Sequence, residues 1–282
     1  MRKLLIILNM IKFEHTIFAL PFAFASALVA ADGIPSMKII GWILVAMVGA
    51  RSAAMTFNRI VDAKIDALNP RTSSRALPKG LISSQAVWIF TIISASLLVL
   101  AAYKLNRLAF VLSPLALSAI LIYSYTKRFT SLSHLWLGLC LGIAPVGAWI
   151  AVTGRMDFAP MVLSAAVIFW TAGFDIIYSM QDLEFDSQMG LFSLPSRIGP
   201  ERSLLVSRLL HTGMITLLIW FGLLCKMGAV YYGGIGFVGL FLIYEQSLVS
   251  AKDISRVNTA FFTMNGCVSI AIFLFVAVDV LL

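Results

Sequence analysis

Thirteen carboxylates are spread over 282 residues, yet six of them fall in two short stretches. The first stretch is Asn58-Arg59-Ile60-Val61-Asp62-Ala63-Lys64-Ile65-Asp66. The second is Asp175-Ile176-Ile177-Tyr178-Ser179-Met180-Gln181-Asp182-Leu183-Glu184-Phe185-Asp186. On a continuous helix, Asn58, Asp62 and Asp66 are spaced i, i+4, i+8 and form one stripe with about 6 Å of rise between neighbours. Asp175, Tyr178, Asp182 and Asp186 likewise share a helical face, whereas Glu184 points roughly opposite and is left out of the site. Arg51, seven residues before Asn58, lies near the stripe of the first stretch. A loop follows each stretch, and Leu194-Pro195-Ser196-Arg197 in the second echoes Leu77-Pro78-Lys79 in the first.

Two facing pairs of aspartates make a hard, oxygen-rich site suited to divalent cations. The neighbouring Arg71, Arg75, Lys127, Arg128 and Arg197 would repel such cations unless an anion lay between them. An anion with several negative charges, such as a diphosphate, reconciles the two sets: magnesium bridges carboxylate to phosphate, and guanidinium forks hold the remaining oxygens. A single Asp–Asp pair at i, i+4 is more often a solvated helix end than a metal site. Two such pairs, each preceded by an amide or a phenol on its own face and each ending a membrane span, argue against that bland reading. Arg51 is a guanidinium within a span and needs a partner, which favours substrate binding. His15, His134 and His211 stand singly, without metal spacing, and read as structural. Tyr123, Tyr125 and the many phenylalanines read as packing or interface anchors.

The elements that must position these groups are membrane helices. Sixty per cent of the residues are apolar and 12% are charged, about half the usual charged share of a soluble domain. Charge-free windows recur at 15–31, 80–103, 108–126, 135–154, 158–174, 209–225, 227–244 and 257–278, and a further window at 39–57 is broken by Arg51 alone. Each is long enough to cross a hydrocarbon core of about 30 Å as a helix, and none shows the alternation of a barrel strand. The expectation is therefore an all-α, polytopic membrane protein of nine spans, with an unclear boundary between windows 80–103 and 108–126. It is a single membrane domain over 1–282 with two motif-bearing halves, roughly 1–130 and 131–282.

The net charge of +8 is mostly topology rather than a nucleic-acid footprint. If the N-terminus is cytoplasmic and nine spans alternate, fifteen Lys and Arg residues fall inside and five outside, with Arg51 in its helix; this is a strong positive-inside bias. It puts the protein in the inner or plasma membrane with loops 58–80 and 181–203, and the site, toward the cytoplasm. Residues 2–13 could lie along the inner interface, and the start does not read as a signal peptide, since no small-residue cleavage site follows a short apolar region. Cys140, Cys225 and Cys267 sit in different windows and read as small core residues, not as disulfide or metal positions.

Together these residues resemble the UbiA superfamily of intramembrane prenyltransferases. Asn58-x3-Asp62-x3-Asp66 is similar to the first signature of that family, and Asp175-x2-Tyr178-x3-Asp182-x3-Asp186 to the second. Tyr123-Ser124-Tyr125-Thr126-Lys127-Arg128 resembles the aromatic-then-basic segment between them, and Asn69-Pro70-Arg71-Thr72 through Arg75, Leu77 and Pro78 resembles the loop after the first. The resemblance covers essentially the whole chain, and its motifs are specific in combination. Many members carry Asp directly after the asparagine where this chain has Arg59. By helical position Arg59 is expected to point away from the stripe and leave the metal site intact, and it places the chain in a branch similar to the 4-hydroxybenzoate polyprenyltransferase-like enzymes.

The resemblance implies that the nine spans surround a central cavity, and a magnesium-dependent transfer of a polyprenyl group from polyprenyl diphosphate to a hydroxylated aromatic acid, for quinone biosynthesis. It implies metal binding by Asp62, Asp66, Asp182 and Asp186, and diphosphate binding by Asn58, Arg71, Arg75, Lys127 and Arg128. Asp175 or Asp182 would deprotonate the acceptor phenol, and Arg51 and Tyr178 would bind the acceptor. The acceptor stays open between a benzoate, for ubiquinone, and a dihydroxynaphthoate, for menaquinone. Two rival classes are weighed. An ion-coupled transporter would hold its coupling sites near the midplane on broken helices, whereas these carboxylates cluster toward one face. An alcohol phosphotransferase of phospholipid synthesis would carry one compact Asp-Gly…Ala-Arg…Gly…Asp…Asp motif, which is absent from the sequence.

Overall fold

The computed structural model describes Ile6, Met10, Ile11 and residues 18–282. Among these residues the chain is all helix, without strands. Most of the segment 2–13, and His15, lie outside the described residues. Twelve α-helices follow in order: α1 (Leu20–Ala31), α2 (Met37–Val61), α3 (Ala63–Leu68), α4 (Ser84–Leu105), α5 (Arg107–Thr126), α6 (Ser133–Thr153), α7 (Phe158–Ser179), α8 (Leu183–Gln188), α9 (Leu194–Ile198), α10 (Pro200–Leu224), α11 (Ala229–Ser247) and α12 (Asn265–Leu281). A single 3-10 turn, Met180–Asp182, joins α7 to α8, and a π-helical turn, Thr259–Met264, leads into α12.

Hydrocarbon offers no partner to a bare amide, so a charge-free stretch crossing it closes its own hydrogen bonds as helix. Seven helical segments are long and apolar enough to span, against nine expected. The two windows that fall short have identifiable causes. Window 15–31 holds only the 12-residue α1 among the described residues. In α11, Tyr231, Tyr232, four glycines and the closing Glu245-Gln246 dilute the apolar content. The unclear boundary between windows 80–103 and 108–126 falls at one residue. Asn106 is extended (φ −165°, ψ 172°), its N–H closes the last turn of α4 on Ala102, and its Oδ1 accepts from the Ala109 N–H at 2.9 Å to begin α5.

The chain divides into two compact units. The first comprises Met1–Thr16 and Met37–Tyr125. In it α2 packs along α4, closely enough that a Cβ on Gly49 would lie 2.8 Å from the Leu98 nitrogen and the Ser94 oxygen, the small-residue contact that lets membrane helices approach. Ile89, Ile92 and Ile93 on α4 and Val111 and Leu115 on α5 are exposed, as expected of side chains that meet lipid rather than water.

The second unit comprises Ile17–Ser36 and Thr126–Leu282. Its centre is α7, flanked by α6 and α10, with α1 on α6 and α12 on both α11 and α1. Phe22, Trp170, Phe174, Met214, Leu218 and Val268 form the middle of its apolar core. Cys140 and Cys225 are half-buried here, but Cys267 is exposed, so it is a surface position of α12 and not a core one. The last two helices are clasped at one end: Asp279 near the end of α12 accepts from the Gly228 N–H (2.7 Å) and the Tyr231 N–H (3.0 Å), which open α11. A carboxylate there satisfies orphan amides and meets the positive end of the helix dipole. Asp279→Ala is expected to remove about 1 kcal/mol, lowering the melting midpoint of the detergent-solubilised protein by about 2–4 °C. An unchanged midpoint would mean that water replaces the clasp.

Candidate active site

The first acidic stretch does not continue as one helix. α2 stops at Val61, Asp62 adopts φ −93°, ψ 3°, and α3 restarts at Ala63 for six residues. Asn58 Nδ2 donates to Asp62 Oδ2 at 2.7 Å, so this i, i+4 contact survives the break. Asp66 is buried, at 6% exposure. Its two carboxylate oxygens accept from Nη1 of Arg75 at 2.6 and 2.7 Å, and Nη1 of Arg59 lies 4.0 Å from Oδ2. The loop that delivers Arg75 is pinned from both sides. Thr72 Oγ1 donates to the Asp66 carbonyl (3.0 Å), and Asn69 Oδ1 accepts from the Arg71 N–H (2.9 Å). Arg71 itself is exposed.

Arg59 thus departs from expectation: it is buried and turned toward Asp66. The physical reason lies in the helix period. At about 100° per residue an i, i+4 stripe drifts by about 40° per step. Arg59 stands wide of Asn58, but Asp66, seven residues later, has drifted to nearly the same azimuth. The break at Asp62 then redirects the chain. Arg51 is half-buried on α2, nearly two turns before Asn58.

The second stretch breaks at the corresponding point. α7 ends at Ser179, the 3-10 turn covers Met180–Asp182, Asp182 has φ −103°, ψ 7°, and α8 again lasts six residues. In both stretches an aspartate (Asp62, Asp182) precedes a six-residue helix and another is its fourth residue, 6% exposed (Asp66) and 2% exposed (Asp186). The stripe expected along one continuous helix is replaced by two short helices, each opening on an aspartate. Lys127 Nζ lies 4.0 Å from Asp186 Oδ2, a buried oxygen with no hydrogen-bond partner among the described residues. Phe192 N–H donates to the Lys127 carbonyl (2.7 Å) and Leu191 N–H to that of Asp186 (2.8 Å), holding the returning loop beside them. Glu184 is exposed, as expected, and so is Arg128. The ring of Arg197's neighbour Phe192 carries the Arg197 guanidinium at 3.9 Å from its centroid.

Asp175 brings in a residue that sequence reasoning set aside. His134, 2% exposed at the start of α6, places Nδ1 2.7 Å from Asp175 Oδ2, and its Nε2 lies 3.1 Å from the Leu194 N–H. Because a backbone N–H can only donate, Nε2 is the acceptor and Nδ1 carries the hydrogen. One neutral imidazole therefore orients Asp175 and anchors the start of α9. The only signal in the sequence is a titratable ring at the lip of an apolar window, where a partner is required. Tyr178 is stacked on Phe261 of the π-helical turn, with centroids 4.0 Å apart and planes at 29°.

No three His, Cys, Asp or Glu side chains gather around one point among the described residues. Each motif offers two aspartates, so a cation there would need oxygens from a ligand to complete its shell. Each pair by itself fits that use: both of its side chains are carboxylates, with Asp186 Oδ2 buried and without a hydrogen-bond partner among the described residues in one, and Asp66 holding a guanidinium between its oxygens in the other. Such a set suits a hard cation carrying an anionic ligand, with Arg and Lys at hand for the anion.

Residues 19–267 match the UbiA prenyltransferase family. A 4-hydroxybenzoate octaprenyltransferase of Vibrio vulnificus (strain CMCP6) is 31% identical over 255 residues, covering 89% of this chain and 88% of the relative. The apo structure of a UbiA homologue from Aeropyrum pernix K1 superposes with a TM-score of 0.86 at 35% identity, over 95% of this chain and 98% of that one. A UbiA homologue from Archaeoglobus fulgidus, bound to DMAPP and Mg2+, shares the fold with a TM-score of 0.78 at 21% identity, over 97% and 98%. With its acidic motifs, its helical membrane fold and this match over most of its length, the chain belongs to the UbiA prenyltransferase family.

Proposed function

We propose that this enzyme transfers a polyprenyl group from polyprenyl diphosphate to a hydroxylated aromatic acid of the 4-hydroxybenzoate type, on the cytoplasmic side of the membrane and with magnesium. The observation that carries the reading is the pair of matching helix breaks, each presenting two aspartates beside basic side chains. The name of the Vibrio relative supports the acceptor class, and the ligands of the Archaeoglobus homologue support a prenyl diphosphate with Mg2+. A dihydroxynaphthoate acceptor remains the alternative. The positive-inside count supports the orientation.

Asp62 and Asp66, and Asp182 and Asp186, are the residues that would hold the magnesium. Bound there, the metal supplies positive charge that stabilises the departing diphosphate. Asn58 orients Asp62. Arg71, Arg75, Lys127 and Arg128 bind the anion; Arg75 clasps Asp66 here and has to let go of that carboxylate to do so. As the allylic C–O bond breaks, its electron pair leaves with the diphosphate, and the ring carbon beside the phenol supplies the pair for the new C–C bond. Asp175 takes the phenol proton on Oδ1, the oxygen that His134 leaves open, or Asp182 does so from the 3-10 turn that follows α7. The hydrogen on the alkylated ring carbon then leaves as a proton and is returned to the ring oxygen, which restores the aromatic phenol with a net loss of one proton to the carboxylate. Arg51 pairs with the acceptor carboxylate and Tyr178 lines the ring. Apolar walls keep water from the allylic cation.

Asp62→Asn and Asp182→Asn are each expected to slow turnover on the order of 1,000-fold without unfolding. Asp253→Asn, in an exposed loop, serves as the control and should stay within twofold. The assay is diphosphate release dependent on added aromatic acid; more than half of wild-type activity in both motif variants would overturn the site. A second expectation concerns Arg51→Lys, which keeps charge but loses the planar fork. It should raise the KM for the acid at least about tenfold, on the scale of a lost charge-assisted hydrogen bond, and leave that for polyprenyl diphosphate near its starting value. Equal binding of the acid and its methyl ester by the wild type would remove this role.

A further inference from the structure

Glu245, in the last turn of α11, is fully buried, and no ion pair reaches it among the described residues. A carboxylate so placed in a membrane protein is costly and calls for a reason. Its Oε1 accepts from Asn265 Nδ2 at 3.2 Å, while Glu245 Oε2 and Asn265 Oδ1 are both buried without a hydrogen-bond partner. The same Asn265 amide also reaches back to the carbonyls of Ala260 (3.0 Å) and Phe261 (3.2 Å). Those carbonyls belong to the π-helical turn Thr259–Met264, where the wider winding leaves the ladder short of regular i+4 donors. Asn265 is thus a side-chain clamp on an irregular turn, and Glu245 holds the clamp from the neighbouring helix.

The turn carries Phe261, whose ring is 7% exposed. It stacks on Tyr178 and meets Phe174 edge-on, with centroids 5.3 Å apart. Both partners lie on α7, three residues after Asp175 and one before it. A chain of contacts therefore runs from Glu245 through Asn265 and the π turn to the tyrosine of the second motif.

We propose that the Glu245–Asn265 pair is a positioning device for the acceptor ring: it fixes the π-helical turn so that Phe261 backs Tyr178 at the aromatic wall of the site. This rests on the reading above, in which Tyr178 lines the acceptor. Aromatic stacking depends on offset and distance, so a turn free to rewind as regular helix would carry Phe261 off the tyrosine. The pair acts on binding of the aromatic acid and not on the prenyl diphosphate, whose partners are the aspartates and basic side chains.

The test compares Glu245→Leu, Glu245→Gln and Phe261→Leu in the full-length enzyme, measuring KM for both substrates and amide hydrogen exchange. Glu245→Leu and Phe261→Leu are each expected to raise the acceptor KM about tenfold and to leave the polyprenyl diphosphate KM within twofold. Glu245→Gln keeps an acceptor oxygen for Asn265 and gains a donor for its free Oδ1, so it should stay within twofold for both. Exchange in Glu245→Leu should quicken over 259–264 and over 174–182, and remain unchanged over 62–75. An acceptor KM unmoved by Phe261→Leu, or a Glu245→Gln loss as large as that of Glu245→Leu, overturns the proposal; the second outcome would assign Glu245 a role for its charge. If Glu245→Leu fails to fold, Phe261→Leu and Glu245→Gln decide alone. Wild-type enzyme that releases no diphosphate with any aromatic acid would sink the acceptor reading instead, and unchanged exchange over 174–182 would then overturn the positioning contact separately.

Discussion

A carboxylate withdrawn from water must be given a cation or hydrogen-bond donors, and in this protein that requirement shapes everything around the motifs. Asp66 is clasped by Arg75 with Arg59 alongside, Asp175 by His134, Asp62 by Asn58, and Asp186 stands 4.0 Å from Lys127. Each partner comes with its own scaffold. Arg75 is presented by a loop sewn down at Asn69 and Thr72, His134 by a helix start that also holds Leu194, and Lys127 by a chain segment that Phe192 caps. The loop after the first motif carries the arginine that Asp66 holds, and the loop after the second is tied to the segments that carry Lys127 and His134. All five partners are cations or hydrogen-bond donors, the kinds of group that a multiply charged anion also uses.

The same chemistry was largely legible in the amino-acid order, since acidic residues are scarce in an apolar chain and their clustering stands out. Helical periodicity placed Asn58 against Asp62 correctly, because four residues span one turn and the contact lies within α2's last turn. It misjudged Arg59 against Asp66, where accumulated drift and the break at Asp62 both intervene. Local propensity gives little sign of either break. Val61-Asp62-Ala63 and Gln181-Asp182-Leu183 contain neither glycine nor proline; only the aspartates, weak helix formers that now stand at the starts of the short helices, hint at the interruption. His134 escaped notice for a related reason: its partner lies forty-one residues away in sequence, and pairwise contacts across helices leave no trace in spacing.

The two units also differ in how firmly they hold their motif. α4 and α5 turn much of their surface outward, toward lipid, while the helix that carries Asp175 is enclosed along most of its length. A buried helix needs its carbonyls satisfied and its neighbours close. Gly173 has no Cβ, and the ring of His211 occupies the space that one would fill. Ser207 Oγ donates to the Gly173 carbonyl at 2.8 Å and His211 Nε2 lies 3.3 Å from that of Trp170, so α10 binds α7 through the turn that precedes Asp175. The aspartate is therefore aimed from a fixed base, as a group that must meet one oxygen of a substrate requires.

The two described histidines sharpen what remains for the acids to do. His211 faces a carbonyl at Nε2, which obliges that nitrogen to carry the hydrogen, and Gln246 Nε2 approaches its Nδ1 at 3.1 Å as a donor. His134 has the opposite arrangement, with hydrogen on Nδ1 and a backbone N–H donated to Nε2. Both rings are thus neutral and have both nitrogens committed, in opposite tautomers set by their neighbours. An imidazole held in this way orients and does not shuttle. In the reaction proposed above, the proton released when an aromatic ring is alkylated beside its hydroxyl passes to Asp175 or Asp182, and Asp175 is steadied on one oxygen by a ring whose nitrogens are both committed elsewhere.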